Sequence, residues 1–392
     1  MTQSVAMIGL GKLGMPVAEC MAKHYTVKGY DIVDKQSDKI NVCATLQDAC
    51  KNVDIIFIAM PTPHDPDYGG QKPIAKKIKK DFDYTALDQC LKSISQCINQ
   101  DTIVVTISTV LPGTYRKLAK KHANIKNFVY NPYLIAMGTV ADDFLNPDLA
   151  IFGYPEWTHG TGLLDTHPLA KKLQDFYKTI WTRMPFFAHG TFEEAEAIKI
   201  FHNTYISAKV GIANMIGDVA QKMDHINADA VTNALKHADR IVSTRYMTAG
   251  NGDGGPCHPR DNIALSWLAE EINLGYDIFG DIMRIREKQA HNVAELLCSY
   301  NRDIVIVGKS FKPDTNLTDG SASMLIGYYC QTMGFNVAYE HAPSERQKYT
   351  YLLAHDKDYS DYNFNKQSII VDLHRKYENA DYTVIQYGNT NQ

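Results

Sequence analysis

Apolar residues fall along this chain in two rhythms. The runs "SVAMIGLG" (4–11), "VDIIFIAM" (53–60) and "DTIVVTIST" (101–109) are continuous rather than alternating, which predicts strands buried on both faces. A further strand is predicted at "YTVKGYDI" (25–32). Between them, "MPVAECMAKH" and "DYTALDQCLKSISQCI" carry apolar residues at helical spacing. Strand–helix alternation of this kind predicts a doubly wound α/β domain with a parallel sheet over residues 1–188.

Near Thr191 the rhythm changes. "TFEEAEAIKIFHNTYISAKVGIANMIGDVAQKM" keeps helical spacing throughout, and Thr191 with Glu194 forms a capping-box pair at its start. So long a helix is expected to bridge two domains and to offer a dimer seam. Helical material continues to about Ser299. A strand, "DIVIVG" (303–308), then restarts the α/β pattern, followed by a helix around "SASMLIGYYCQTMG" and a strand "NVAYEH". The pattern predicts three domains, over 1–188, 189–299 and 300–392.

Composition narrows the partners. A chain of 392 residues is long for one core, and 45% apolar with 21% charged residues describes an ordinary globular protein. A net charge of −4 argues against nucleic acid or an anionic membrane as the main partner. The basic stretch "KPIAKKIKK" (72–80) reads as a solvated loop. The start, "MTQSVAMIGLGKLG", lacks the cationic region of a signal peptide, and no apolar run approaches the roughly 20 residues that span a bilayer. Eight scattered cysteines without CxxC pairs suggest neither a disulfide framework nor a metal site. A reducing cytoplasm fits, with thiols such as Cys20 and Cys298 packing helices.

Candidate chemistry begins with Gly9, Gly11 and Gly14, a GxGxxG motif between a strand and a helix. The first glycine makes the turn, the second admits a pyrophosphate to the backbone, and the third lets helix and strand pack closely. Asp31 ends the second strand twenty residues after Gly11, where a carboxylate binds ribose hydroxyls and repels a 2′-phosphate. The cofactor expected is therefore NAD.

A second constellation surrounds Cys257 in "GDGGPCHPRDN" (252–262), a glycine-rich loop that is a poor place for a core thiol. Lys199 and Asn203 are spaced i, i+4 on the long helix and share a face, and Asp261 follows the cysteine by four. An ammonium and a carboxamide on one face suit an oxyanion, and a nearby cation would favour the thiolate. Spacing alone leaves open whether Lys199 and Asn203 are instead a solvated helix face.

The loop "GDGGPCHPRD" resembles the GxGGxCxPKD loop of the UDP-glucose/GDP-mannose dehydrogenase family. The similarity extends to "IAMPTP" (58–63), "STVLPGT" (108–114), "DDFLNPDLAIFG" (142–153), "KIFHN" (199–203) and "FKPDT" (311–315), in the family's order. The resemblance implies an N-terminal Rossmann NAD-binding domain, a central long-helix dimerisation domain and a C-terminal Rossmann-like domain for the nucleotide sugar. It implies a homodimer that oxidises a C6 alcohol to a carboxylate with NAD, UDP-glucose being the first expectation.

Residue by residue, the resemblance makes Cys257 the nucleophile that captures the aldehyde as a thiohemiacetal and then a thioester. Lys199, Asn203, Asp261 and Thr109 match its other catalytic positions. It implies cofactor contacts at Gly9, Leu10, Gly11, Lys12, Leu13, Gly14, Asp31, Pro61, Thr62, Thr109 and Arg260. Substrate contacts are implied at Tyr133, Leu134, Lys199, Asn203, Arg240, Tyr246, Gly254 and Lys312, with Arg240 reaching across the dimer.

The chain departs from the family at several of these places. "NPYLIAMG" (131–138) has Tyr133 and Met137 where the family has two glutamates, the first of which assists thioester hydrolysis. A phenol with a pKa near 10 is a poor base at neutral pH. Arg260 replaces a lysine, Asp253 an aromatic residue and Asp319 an arginine. Two other readings therefore stand beside the first. One is a simple 3-hydroxyacid dehydrogenase-like enzyme; the other is an impaired dehydrogenase that binds NAD and a nucleotide sugar.

Overall fold

The structure is a computed structural model describing residues 4–63, 81–136, 138–156, 167–242, 249–255, 258–313, 315–340, 345 and 347–388. The basic stretch 72–80, Met137, Tyr246 and Cys257 lie outside the described residues. The chain divides into two compact units, Met1–Lys209 and Val210–Gln392.

The first unit is built on strands β1 (Ser4–Ile8), β2 (Thr26–Tyr30), β3 (Asn41–Val42), β4 (Ile55–Ile58), β5 (Ile103–Thr106), β6 (Asn127–Tyr130), β7 (Leu149–Tyr154) and β8 (Phe186–Thr191). They form one sheet in the order β3-β2-β1-β4-β5-β6-β7-β8. The continuous apolar runs have the expected cause: successive residues feed opposite faces, and both faces are dry. Val5, Met7, Ile55, Phe57, Ile103 and Val105 pack into one cluster, with Val17, Met21 and Phe176 from helices Gly14–Met21 and Pro168–Lys178. Ala6, Ile8, Ile56, Ile58 and Val104 pack into the other, with Leu87 and Leu91 from helix Thr85–Ile94.

The expected parallel sheet is parallel from β3 through β6, but β6 meets β7 antiparallel, through Tyr130 opposite Gly153. Doubly wound sheets commonly accept such a reversal where strands are added at an edge. The order β3-β2-β1-β4-β5-β6 is that of a dinucleotide-binding domain, with its reversal of direction between β1 and β4. That places the glycine turn after β1 at the crevice such sheets use for ligands.

From β8 the chain turns directly into helix Phe192–Lys222, 31 residues and ~46 Å long at 1.5 Å per residue. The capping box forms: Glu194 accepts from the Thr191 N–H at 2.8 Å, and the Thr191 hydroxyl accepts from the Glu194 N–H at 3.3 Å. Among the described residues no helix is long and apolar enough to cross a membrane.

The second unit adds helices Ala228–Lys236, Asp239–Val242, His258–Glu271 and Ile278–Ser299 before a second sheet. Its strands are β9 (Ile304–Val307), β10 (Val337–Glu340), β11 (Thr350–Leu353), β12 (Ile369–Asp372) and β13 (Thr383–Gln386), all parallel, in the order β10-β9-β11-β12-β13. Here too both faces are apolar. Ile304, Ile306 and Leu352 face the helices Ile278–Ser299 and Ala322–Thr332, while Val305, Val307 and Tyr351 face an aromatic layer with Phe364 and Tyr377.

Candidate active site

The glycine turn after β1 divides its work among three residues. Gly9 has φ +94°, and its N–H reaches the Tyr30 carbonyl at 2.8 Å. A Cβ on Gly14 would stand 1.9 Å from the Gly9 carbonyl oxygen, so only hydrogen allows the helix to approach its own turn. A Cβ on Gly11 would meet nothing within 4 Å. The middle glycine thus leaves an open approach to the backbone at the start of helix Gly14–Met21, the shape a pyrophosphate requires.

Asp31 closes this cradle. Its Oδ2 accepts from the Leu10 N–H at 2.7 Å and its Oδ1 from the Val33 N–H at 2.9 Å. Each carboxylate oxygen keeps lone-pair capacity for a hydroxyl donor. Leu10 is buried in the core and Leu13 packs against it, so these two residues offer the cradle their backbone, whereas Lys12 is exposed. Beside the carboxylate, Ile32 is 89% and Val33 58% exposed, an apolar pair the sequence reading passed over.

Across the crevice the ends of β4 and β5 are tied together. The Thr62 hydroxyl donates to the Thr109 carbonyl at 2.6 Å, and the Ser108 hydroxyl donates to the Met60 carbonyl at 2.6 Å. The Ala59 N–H, one strand end away, bonds the Ile8 carbonyl at 2.8 Å. Pro61, Thr62 and Thr109 are therefore brought to the same sheet edge as the glycine turn. These residues fit a dinucleotide.

The opening turns of the long helix hold two loops of this unit. Lys199, 8% exposed, donates from Nζ to the Tyr133 carbonyl at 2.8 Å, and burial pulls its pKa below the usual value for a lysine. One turn earlier, the fully buried Glu196 accepts from the Gly113 N–H at 2.5 Å and the Tyr115 N–H at 2.6 Å. These donors open helix Thr114–Lys121, whose own cap residue is a glycine without a side chain. Glu193 adds a two-point pair with Arg116 at 2.9 and 2.8 Å. Asn203 is exposed, with His202 Nδ1 3.4 Å from its Oδ1.

Glu196 was not found by sequence reasoning. Its only signal was its place three residues before Lys199, hence on the same face. Burial pushes its carboxyl up to about 7, against the pull of the two N–H donors.

Tyr133 presents its backbone and withdraws its side chain. The ring packs edge-on against Phe144 at 5.3 Å, and the hydroxyl lies 2.9 Å from the Tyr177 hydroxyl, which donates to Asn131 Oδ1. Burial raises the Tyr133 phenol well above its ordinary pKa. It is not a base at neutral pH. Leu134 is half-buried against the other apolar cluster.

In the second unit, the turn 249–255 that leads toward position 257 is fastened to the C-terminal sheet region. Arg375 donates to the Ala249 carbonyl at 2.5 Å, Asn251 Nδ2 to the Ser323 hydroxyl at 3.0 Å, and the Gly255 N–H to the Gly320 carbonyl at 3.1 Å. A Cβ on Gly254 would lie 2.6 Å from the Gly320 oxygen. Lys312 is exposed with its ammonium 5.4 Å from the Phe311 ring centroid, and Arg240 is exposed on helix Asp239–Val242. Arg260 and Asp261 belong to helix His258–Glu271, and their side chains lie outside the described residues. Asp319 is exposed, and nothing in the structure explains its presence there. Among the described residues no group of three or more His, Cys, Asp or Glu is placed to hold a metal ion.

Two outcomes follow from this geometry. Gly14→Ala should lower stability by on the order of 3 kcal/mol, because backbone must shift to admit the methyl. Gly11→Ala should stay within about 0.5 kcal/mol of the parent while weakening dinucleotide binding. Urea unfolding with NAD titration checks both; equal stability losses would contradict the assignment. For Glu196, the folded-state pKa lies above the ordinary 4.5, so its contribution to stability is full below pH 4.5 and lost as pH rises through about 7. The loss amounts to about 3 kcal/mol at most. Glu196→Gln should flatten that part of the stability profile between pH 5 and 8, and parallel profiles would refute it.

Known proteins give the arrangement a family. Residues 193–288 match the central domain of the UDP-glucose/GDP-mannose dehydrogenase family, and residues 32–179 match its NAD binding domain. The cofactor of the first unit is therefore NAD. A GDP-mannose 6-dehydrogenase from Pseudomonas aeruginosa is 26% identical over 391 residues, covering 88% of this chain and 84% of that protein. A UDP-glucose 6-dehydrogenase from Rickettsia typhi is 23% identical over 317 residues, covering 78% of this chain. This chain spans 66% of that protein's length, and 61% of a UDP-glucose 6-dehydrogenase from Campylobacter jejuni. In fold, the chain is similar to the crystal structure of a ternary complex of GDP-mannose dehydrogenase from Pseudomonas aeruginosa, with a TM-score of 0.77 at 19% identity over 97% of this chain and 99% of that one. Two matched domains in the family's order and the shared fold lead to one conclusion: the chain belongs to the UDP-glucose/GDP-mannose dehydrogenase family.

Proposed function

We propose that this chain is an NAD-dependent nucleotide-sugar 6-dehydrogenase, with UDP-glucose as the first substrate to test. The observation that carries the reading is the buried Lys199 ammonium on the helix that opens the family's central domain, in the same unit as a dinucleotide cradle of the right strand order.

Gly9, Gly11, Gly14 and Asp31 would hold NAD, which would supply the hydride acceptor for the oxidation. This chain's residues do the rest. Cys257 attacks the aldehyde to give a thiohemiacetal, whose oxidation leaves a thioester for water to hydrolyse. Lys199, desolvated and therefore a stronger electrostatic partner, stabilises the oxyanion together with Asn203. Thr109 sits at the cofactor edge, and Asp261 moves protons. Leu134, Arg240, Tyr246, Gly254 and Lys312 contact the nucleotide sugar. The domain division 1–188, 189–299 and 300–392 is part of the same reading.

We also propose a homodimer through the long helix, supported by the exposed Phe201, Tyr205, Ile206 and Ile212 along it. The compartment proposed is a reducing cytoplasm, in keeping with seven described cysteines that are free thiols.

The buried Tyr133 phenol favours a second version, an enzyme that oxidises but releases acid slowly. NADH formed per sugar discriminates the readings: two for the full reaction, one for a simple hydroxyl dehydrogenase, none for a binding protein.

With NAD and a panel of UDP-, GDP- and TDP-sugars, the enzyme should show a burst of about two NADH per site and then a slow steady state, since a missing general base costs on the order of 100-fold or more. Intact mass after quenching should reveal an acyl adduct that Cys257→Ser lacks. A linear time course without adduct would mean that water activation never limits the rate. Cofactor choice is a separate expectation: NAD should be preferred over NADP by about tenfold or more through like-charge repulsion at Asp31. Asp31→Asn should narrow that gap, and a wild-type enzyme faster with NADP would defeat the assignment.

A further inference from the structure

The turn 249–255, two residues before Cys257 in the chain, is held to the C-terminal sheet region by hydrogen bonds from Arg375, Asn251 and Gly255. Its closest neighbour is the segment after β9, and the two meet backbone to backbone. A Cβ on Gly320 would lie 2.1 Å from the Gly255 oxygen, and one on Gly254 would lie 2.6 Å from the Gly320 oxygen. Where the backbones touch, no side chain fits between Gly254, Gly255 and Gly320, so hydrogen bonds keep these residues in register while the Phe311 ring packs beside Gly255.

One side chain reaches both. Arg286 donates from Nε to the Asp253 carbonyl at 2.8 Å and from Nη2 to the Gly320 carbonyl at 3.0 Å. The Gly320 oxygen also receives the Gly255 N–H at 3.1 Å, so a single carbonyl joins the arginine to the turn. Nε and Nη2 lie on one edge of a planar guanidinium, at a spacing fixed by covalent geometry. The fork therefore sets the distance between the two segments as well as attracting them. Its base is rigid: Arg286 rises from helix Ile278–Ser299, whose Ala290, Val293, Ala294 and Leu297 are buried in the core of the second sheet. Arg284, two residues earlier, is exposed and paired with Asp281, and offers no substitute.

We propose that Arg286 is a positioning residue for the nucleophile: its two-pronged grip on Asp253 and Gly320 fixes the turn 249–255, which ends two residues before Cys257 in the chain. The proposal rests on Cys257 being the nucleophile, as argued above. A lysine keeps the charge but loses the fork, and a shift of about 1 Å at a reacting atom is enough to cost on the order of 100-fold in rate.

The test compares Arg286→Ala, Arg286→Lys and the parent in three measurements. Hydrogen exchange in a peptide spanning 249–255 should rise at least about tenfold in both variants, because the Gly255 N–H loses its fixed acceptor. Turnover should fall by about tenfold or more in both, with KM for NAD unchanged, and millimolar guanidinium should restore part of it in Arg286→Ala alone. Exchange at wild-type rates would overturn the proposal, as would a fully active Arg286→Lys. So would loss of turnover that only follows loss of folded protein in a melting curve. The exchange measurement needs no substrate, so a wild-type enzyme inert toward every nucleotide sugar would sink the functional reading and leave Arg286's grip to be judged by itself.

Discussion

Placing a carboxyl and an ammonium out of water within one helical turn is costly, and each must find partners that do not move. Glu196 and Lys199 find them in backbone: two N–H groups for the acid, one carbonyl for the base. Backbone partners hold loops rather than single side chains. Thus the first turns of the long helix fix the start of helix Thr114–Lys121 and the loop at Tyr133 together. The capping box between Thr191 and Glu194 sets where that helix begins, and so the phase at which both groups face inward. Burial pushes each toward its neutral form, the acid's pKa up and the lysine's down. A lysine softened in this way is easier to deprotonate than one in water, which matters where protons must leave an alcohol.

Each unit builds a turn by pressing glycine against glycine. In the first, Gly14 lies so close to Gly9 that no Cβ fits, and the turn is left open on the Gly11 side. In the second, Gly320 meets Gly255 in the same manner. The physical gain is reach: backbone with no side chains can touch a ligand directly. The loss is self-support, because such loops have little apolar surface to bury. The first turn is secured by the strand ladder on either side, through Asp31 and the ends of β4 and β5. The second depends on the Arg286 fork, a single bond from Arg375 to the Ala249 carbonyl and the Asn251–Ser323 bond.

What the sequence disclosed was what is local. Strands buried on both faces leave uninterrupted apolar runs, so β1, β4, β5 and β9 were legible from a handful of residues each. The capping box and the glycine turn were legible for the same reason, since their partners lie within a few residues. The reversal at β7 was not, because direction depends on which strand a segment meets rather than on its own pattern. Glu196 and Arg286 were hidden among charged neighbours in "EEAEAIK" and "RIREKQ". Their partners are backbone atoms far away in the chain, which no side-chain pattern announces.

Tyr133 shows where a motif comparison alone misleads. Set against the family pattern, it is a lost glutamate. In the fold it is an aromatic core residue, packed on Phe144 and joined through Tyr177 to Asn131, whose amide in turn donates to the Ile151 carbonyl of β7 at 2.8 Å. The exchange is more than the loss of a carboxylate, because the tyrosine ring packs against the sheet's apolar layer. Restoring a glutamate there would place a carboxylate among rings and leave the Tyr177 hydroxyl with Asn131 as its remaining partner. The Tyr133 carbonyl, by contrast, accepts from Lys199. The backbone of this loop positions the lysine, and the Tyr133 side chain packs against the apolar cluster. Residue 133 thus works through two different parts of itself: its carbonyl holds the Lys199 ammonium, and its ring and hydroxyl tie the loop to Phe144 and Tyr177.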